Sequence, residues 1–343
     1  MIDSNRPPVY YSEYLALDEI LNAQRPESEK EGIKADDEML FIIVHQTYEL
    51  WFKQILHEVT IIREIFKQPN VADNSPDIFN ANSRLKRVVK ILELLVAQIS
   101  IIETMTPLDF LDFRDLLRPA SGFQSIQFKM LEALLGLEYA NRFGHEYYLS
   151  QLNEKDIKRV QDAEAEVSLM VLVNSWLERM PFANDEKYWG GQGADFWSHY
   201  RTQYAAGLQP NEKGNLEVFD NLFMNKDSYP EGRRLSQLAM KNAVFIMLYR
   251  DLPLLHLPFE LLDKLLEIDE QLSMWRYRHI HMVQRAIGKR VGTGGSTGAS
   301  YLKSAAESHL IFKEIAELGS FLMPRSDIPE LPKALSDDLS FRR

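Results

Sequence analysis

An all-α fold of long helices is the architecture that this sequence predicts. Apolar residues recur at three- and four-residue spacing over stretches far longer than a strand, and capping or breaking residues stand at the ends of several of them. No apolar–polar alternation runs beyond a few residues, and no repeat of fixed period or compositional boundary divides the 343-residue chain.

The elements follow in order. The first 37 residues mix proline, tyrosine and charge, hold one short helical candidate from Ser12 to Gln24, and read as an arm that docks on something. Long helices are expected over Glu38 to Phe66 and Ser83 to Met105, and Pro119 stops the segment after them. Ser121 with Gln124 three positions on has the form of a capping box, and Phe123, Ile126, Met130 and Leu134 repeat at helical spacing up to a natural stop at Gly136. Helices are expected over Lys155 to Arg179 and Leu235 to Tyr249, separated by a loop region carrying Gly190, Gly191, Gly193 and Gly214. Around Pro258 the last major pair begins, Phe259 to Ile287 and then Ser300 to Ser320. The proline-spaced tail PRSDIPELPKALSDDLSFRR is expected to be irregular. The expected division is an arm (1–37), a single helical domain (38–332) and an irregular tail (333–343).

Composition narrows the function. A net charge of −11 opposes binding to nucleic acid, which relies on lysine and arginine to displace counterions. The chain has no cysteine, which removes disulfides, thiolate zinc sites, iron–sulfur clusters and thiolate-ligated haem together. The start MIDSNRPPVYY lacks the basic and apolar segments of a secretory signal, and no apolar run approaches the ~18 residues that would span a membrane. A small-molecule function in a reducing, cytosolic setting is expected.

The stretch MWRYRHIHMVQRAIGKRVGTGGSTG sets two histidines two positions apart, turned from each other by about 200° on a helix, so they cannot serve one site. His279 shares its stripe with Trp275, Met282, Val283 and Ala286 and points inward; His281, flanked by Tyr277, Arg278, Gln284 and Arg285, points to water or an acidic partner. His45 lies on another apolar stripe, with Phe41, Tyr48 and Phe52, and is expected to be buried among aromatics. Each alone reads as a hydrogen-bonded core histidine. One histidine on each of two helices, with no His-Glu-x-x-His spacing, is also the pattern of a flat cofactor such as haem lying between them. Arg276, Arg278, Arg285, Lys289 and Arg290 then either meet propionates at its rim or form a solvated basic face.

The loop GTGGSTG lacks the lysine of a P-loop and the G-x-G-x-x-G spacing, and it follows a helix, so it is a lid or a plain helix–helix turn. In LDFLDFRDLLRPASGFQS, Arg114 is either paired with Asp112 or Asp115 or kept for an anionic ligand.

Three blocks together, FIIVHQTYELWFKQIL, DFRDLLRPASGFQSIQF, and WRYRH followed by GTGGSTG, resemble the signature blocks of the tryptophan 2,3-dioxygenase family, and the similarity runs from about Tyr10 to about Pro332. The resemblance implies a long-helix bundle enclosing a haem b, active with Fe2+, that inserts both atoms of O2 across the indole C2=C3 bond of L-tryptophan to give N-formyl-L-kynurenine. It implies that His279 is the axial iron ligand and that His45 is the distal, catalytic histidine near the indole N–H. Phe41 and Phe110 would flank the indole, with Ile42, Ile43 and Val44 also in the substrate pocket. Arg114 would bind the carboxylate, Thr293 would close over the amino acid, and Ser121 would sit near dioxygen and haem. The family is a homotetramer whose N-terminal arm reaches a neighbouring site, and Tyr11, Tyr14 and Leu15 match that arm. Some members carry tyrosine where Phe110 and Phe128 stand, which bears on fine contacts rather than on the reaction. A haem carrier without turnover, or an enzyme of this fold acting on another aromatic substrate, are the competing readings.

Overall fold

The structure is a computed structural model that describes residues 7–69, 75–139, 149–181, 186–190, 193–225, 227–288, 290, 303 and 309–340. Among these residues every regular element is helical. Three short helices come first: α1 (Tyr11–Tyr14), α2 (Leu17–Leu21) and α3 (Glu27–Lys30). The Ser12–Gln24 candidate is therefore two pieces, broken at Ala16, whose φ of 50° leaves the helical region.

Next come α4 (Asp37–Phe66), α5 (Pro76–Ile102) and α6 (Pro107–Arg114). Ser75 caps α5, its hydroxyl accepting from Ile78 N–H, and Pro76 takes the first position, where a missing N–H costs nothing; the helix therefore starts well before Ser83. A capping box between Thr106 and Asp109 starts α6 in the same way.

The capping box at Ser121 is present, but it closes a single 3-10 turn, Gly122–Gln124; α7 (Ile126–Leu135) has its own cap in Ser125 and ends at Gly136, φ 130°. The expected Lys155–Arg179 helix is two, α8 (Glu154–Ala165) and α9 (Leu169–Glu178). Buried Arg63 takes both Glu166 (2.6 Å) and the Val167 carbonyl (2.9 Å), acceptors that the break leaves free for it, and Ser168 caps the restart.

The glycine-marked region read as loop is largely helical: α10 (Glu186–Trp189), α11 (Gly193–Gly207), α12 (Asn215–Phe219) and a π turn over Asp220–Met224. An aromatic cluster holds it, with Trp197 stacked on Phe223 at 5.6 Å and the Tyr200 hydroxyl donating to the Phe321 carbonyl at 2.6 Å. Then follow α13 (Gln237–Leu248) and α14 (Pro253–Ile287), which carries Pro258 inside it rather than starting there. Of the Ser300–Ser320 candidate, the described residues are helical at Lys303 and again from Lys313, in α15 (Lys313–Glu317) and a 3-10 turn, Leu318–Phe321. The tail is not irregular throughout, because α16 (Lys333–Leu339) buries Leu335 and Leu339.

The long helices α4, α5 and α14 form the frame, with α5 packed against both of the others. Their seam is apolar, with Ile55, Val59, Leu85, Val88, Leu92, Leu262 and Leu265 all buried, each stabilising the fold by roughly 1.5–3 kcal/mol. Gln98 donates to the Val44 carbonyl (3.1 Å), the Tyr48 hydroxyl to the Leu95 carbonyl (2.8 Å) and Asn82 to the Leu257 carbonyl (2.9 Å), which fixes the three helices in register.

Candidate active site

One end of this frame carries both predicted histidines. His279, on α14, stacks on Trp275 one turn earlier, ring centroids 5.1 Å apart and planes 12° from parallel. Trp275 leans on Phe128 (5.1 Å) and Tyr48 (6.1 Å), and Phe128 on Phe52 (5.3 Å), so the imidazole stands against an aromatic wall drawn from α4, α7 and α14. Burial, with a further push from nearby His45, lowers the His279 pKa to about 4. The ring is therefore neutral near pH 7, and its buried Nδ1 has no hydrogen-bond partner among the described residues.

His45, on α4, differs from the expectation of burial: in the single chain it is exposed. Its pKa is still lowered, because the protein crowded around it leaves little solvent to hydrate a cation. Nδ1 lies 2.7 Å from the Phe41 carbonyl, which can only accept, so Nδ1 carries the proton and Nε2 presents a bare lone pair. Sequence shows a histidine here; only the geometry fixes its tautomer.

Phe41, one turn before His45, lies 4.1 Å from it, 5.7 Å from Phe110 and 5.6 Å from Phe113. The structure thus brings Phe41, His45 and Phe110 together and adds Phe113, which sequence reasoning passed over as a mere neighbour of Arg114. Arg114 follows Phe110 by one turn of α6 and is buried; its Nη1 reaches Asp115 at 3.3 Å, so the pairing reading is realised with Asp115, whose side chain is itself largely exposed. Ser121 is half-buried, its hydroxyl accepting from Phe123 N–H at 3.4 Å.

Ile42, Ile43 and Val44 are not gathered with them. Consecutive helical residues face different directions, and here Val44 is buried, Ile43 is exposed and Ile42 is half-buried. Tyr11, Tyr14 and Leu15 are exposed in the single chain and join no buried site within it. Thr293 and its glycine-rich loop lie outside the described residues, as does Lys289.

His281 is exposed, as expected. The basic residues divide, with Arg285 and Arg290 exposed and Arg278 pairing with Glu103 at 2.9 Å. Arg276 is not at a rim: it is buried and donates to Glu132 at 2.6 Å.

These residues fit a haem. A neutral imidazole with a buried, partnerless ring nitrogen is a suitable iron donor, and the aromatic wall supplies the apolar surroundings of a flat macrocycle. Among the described residues no three His, Asp or Glu side chains converge on a point.

A family model described as tryptophan 2,3-dioxygenase matches residues 2–217 and 200–322. The chain belongs to the tryptophan 2,3-dioxygenase family. Members similar to it include the tryptophan 2,3-dioxygenases of Bdellovibrio bacteriovorus, 42% identical over 98% of this chain and 99% of the relative, and of Dictyostelium discoideum, 44% identical over 97% and 88%. That of Alteromonas mediterranea is 43% identical over 98% of both chains. Tryptophan 2,3-dioxygenases are haem-dependent oxidoreductases that convert tryptophan to N-formylkynurenine, the first step of the kynurenine pathway. Among the described residues no helix of this tryptophan 2,3-dioxygenase family member is long and apolar enough to cross a membrane.

Proposed function

We propose that the two-histidine cleft is the site at which this chain oxidises tryptophan to N-formylkynurenine, with haem b in its ferrous form held by His279. The observation that carries this reading is the neutral, aromatic-backed His279 with Nδ1 buried and unpartnered, beside a second histidine whose Nε2 is a fixed acceptor. When bound, ferrous haem supplies the activation of dioxygen, both atoms of which end in the product across the former indole C2=C3 bond.

The protein's own part is positioning. The Nε2 lone pair of His45 accepts a hydrogen bond from the indole N–H; it need not remove that proton, since a neutral imidazole is far too weak a base for so weak an acid. Phe41 and Phe110 flank the indole and keep water from it. Arg114, which contacts the largely exposed Asp115 at 3.3 Å, directs its planar guanidinium to the substrate carboxylate. Fixing both ends of a substrate in this way contributes several kcal/mol to lowering the barrier. Ser121, together with Thr293 of the glycine-rich loop, completes the amino-acid and dioxygen side by the family pattern.

We assign a homotetramer in which Tyr11, Tyr14 and Leu15 reach a neighbouring site. The support is their exposure, 70% for Tyr11 and 76% for Tyr14, and the exposed Ile43, Leu50, Leu94, Ile101 and Met274 on the frame helices. A cytoplasmic setting is in keeping with a chain that has no cysteine. The absorption spectrum tests the ligand assignment: the unsubstituted protein binds haem with a strong absorption band, and His279→Ala loses it. A spectrum that His279→Ala leaves intact contradicts the assignment.

A further inference from the structure

A buried polar knot fastens α14 where it carries His279. Arg276, one turn before His279, donates through Nη2 to Glu132 of α7 at 2.6 Å and through Nη1 to the His309 carbonyl at 3.3 Å. The His309 ring lies 3.5 Å from the same Glu132 oxygen, and all three side chains are at most 5% exposed. Two turns earlier on α14, Asp269 accepts the Ile311 and Phe312 N–H groups at 3.0 and 2.5 Å. Arg234 completes the set, donating to the Gly136 carbonyl at the end of α7 and to the Ile311 carbonyl. Three segments, α7, α14 and 309–312, are thereby held to one another by charge-assisted bonds, buried except for the partly exposed Arg234.

An apolar seam tolerates a small slide or rotation of one helix on another, since its contacts are non-directional. A guanidinium bonded on two sides does not. Positions 276 and 279 are separated by about 300° of helical rotation, so they lie within about 60° of each other, and whatever fixes Arg276 also fixes the direction of the His279 ring. Stacking on Trp275 alone leaves that ring free to slide in its own plane. The knot also ties α14 to α7, which carries Phe128, the support of Trp275.

We propose that Glu132 and Arg276 are positioning residues for the iron ligand: they set the direction in which His279 addresses the metal, and so the strength of the iron–histidine bond. This rests on His279 being the ligand. Glu132→Gln keeps the shape and removes the charge; Arg276→Lys keeps a charge and loses the two-sided geometry. Glu58→Gln serves as control, because Glu58 is an equally buried carboxylate, paired with Arg84 and Arg87 in the α4–α5 seam and remote in role from the ligand helix.

The experiment reads the iron–histidine stretching vibration of the ferrous holoprotein by resonance Raman scattering, together with kcat and KM for L-tryptophan. In Glu132→Gln and Arg276→Lys the band is expected to shift or split, with kcat lowered roughly tenfold and KM little changed, because ligand geometry and not substrate binding is altered. In Glu58→Gln the band stays in place whatever happens to thermal stability. If Glu132→Gln yields no folded protein, Arg276→Lys alone decides. Bands identical to the unsubstituted protein's, with only Tm lowered, overturn the positioning role while leaving His279 as ligand. An unsubstituted holoprotein with no iron–histidine band overturns the ligand assignment itself, and this inference with it.

Discussion

The imidazole proposed as iron ligand also carries a pH liability. In the chain without cofactor the folded-state pKa of His279 is about 4, against an ordinary 6.5. Its stability contribution is fully present above pH 6.5 and is lost as pH falls through about 4, because the unfolded chain takes up a proton that the folded one refuses. Asp269 works the other way: burial raises its carboxyl from 3.8 to about 6, so its contribution is present below 3.8 and is lost as pH rises through about 6. His279→Phe should keep the stack on Trp275 and flatten the acid limb, read as urea midpoints of cofactor-free protein between pH 7 and 5; an unchanged pH dependence removes His279 as its source. In the holoenzyme, Arg114→Ala should raise KM for tryptophan roughly a hundredfold, since the carboxylate loses a charge-assisted pair. An unchanged KM takes Arg114 out of the site. His45→Ala should lower kcat without abolishing it; complete loss with haem and substrate still bound makes His45 an obligatory base. Helical spacing was enough to turn His279 inward and His281 outward, but it misjudged His45, which shares a stripe with aromatics and is nonetheless exposed. Nothing in a spacing rule tells a buried stripe from an apolar face that stays open to solvent.

Boundaries of elements followed residues whose role is local, and failed where a distant partner decided them. Gly136 was legible as the end of α7, and the structure adds the reason: φ is 130°, and a Cβ there would meet the Met170 Cβ at 2.7 Å. Gly136→Ala should therefore cost about 2–4 kcal/mol, measured by chemical denaturation, and a change within experimental error contradicts that account of the turn. The break between α8 and α9 was not legible, because the residue bonded to its Glu166 and Val167 acceptors is Arg63, over a hundred positions away in sequence. Likewise the backbone N–H groups of Ile311 and Phe312, outside any helix, are taken by the distant Asp269 carboxylate. In the stretch around Gly193 and Gly214 the glycines coexist with helix, because Phe196, Tyr200 and Tyr204, spaced one turn apart, are held in the aromatic core. In the tail, prolines hid the pair Leu335 and Leu339, one turn apart and both buried. Leu339→Ala should destabilise by about 2–4 kcal/mol if α16 is part of the core.

At the scale of the whole molecule, the described part of the arm is anchored near Glu27 and Ser28 and exposed over its tyrosines. The buried Glu38 carboxylate accepts from the Glu27 and Ser28 N–H groups at 2.9 Å each, while Tyr10, Tyr11 and Tyr14 are left exposed. Removal of residues 1–22 should therefore leave each chain folded. Light scattering should show smaller species and kinetics a raised KM for tryptophan; an unchanged tetramer with unchanged KM contradicts arm exchange. The all-helical frame was readable from periodicity, whereas nothing in the spacing of apolar residues reveals a subunit contact. The central claim, that this frame oxidises tryptophan at the His45–His279 cleft, is tested most directly by product analysis. Reduced holoprotein is supplied with L-tryptophan and isotopically labelled dioxygen, and the product mass is measured. The account predicts N-formyl-L-kynurenine carrying two labelled oxygen atoms, formed by the unsubstituted protein and not by His279→Ala. A product with one labelled atom, or none formed by a protein that holds its haem, contradicts it.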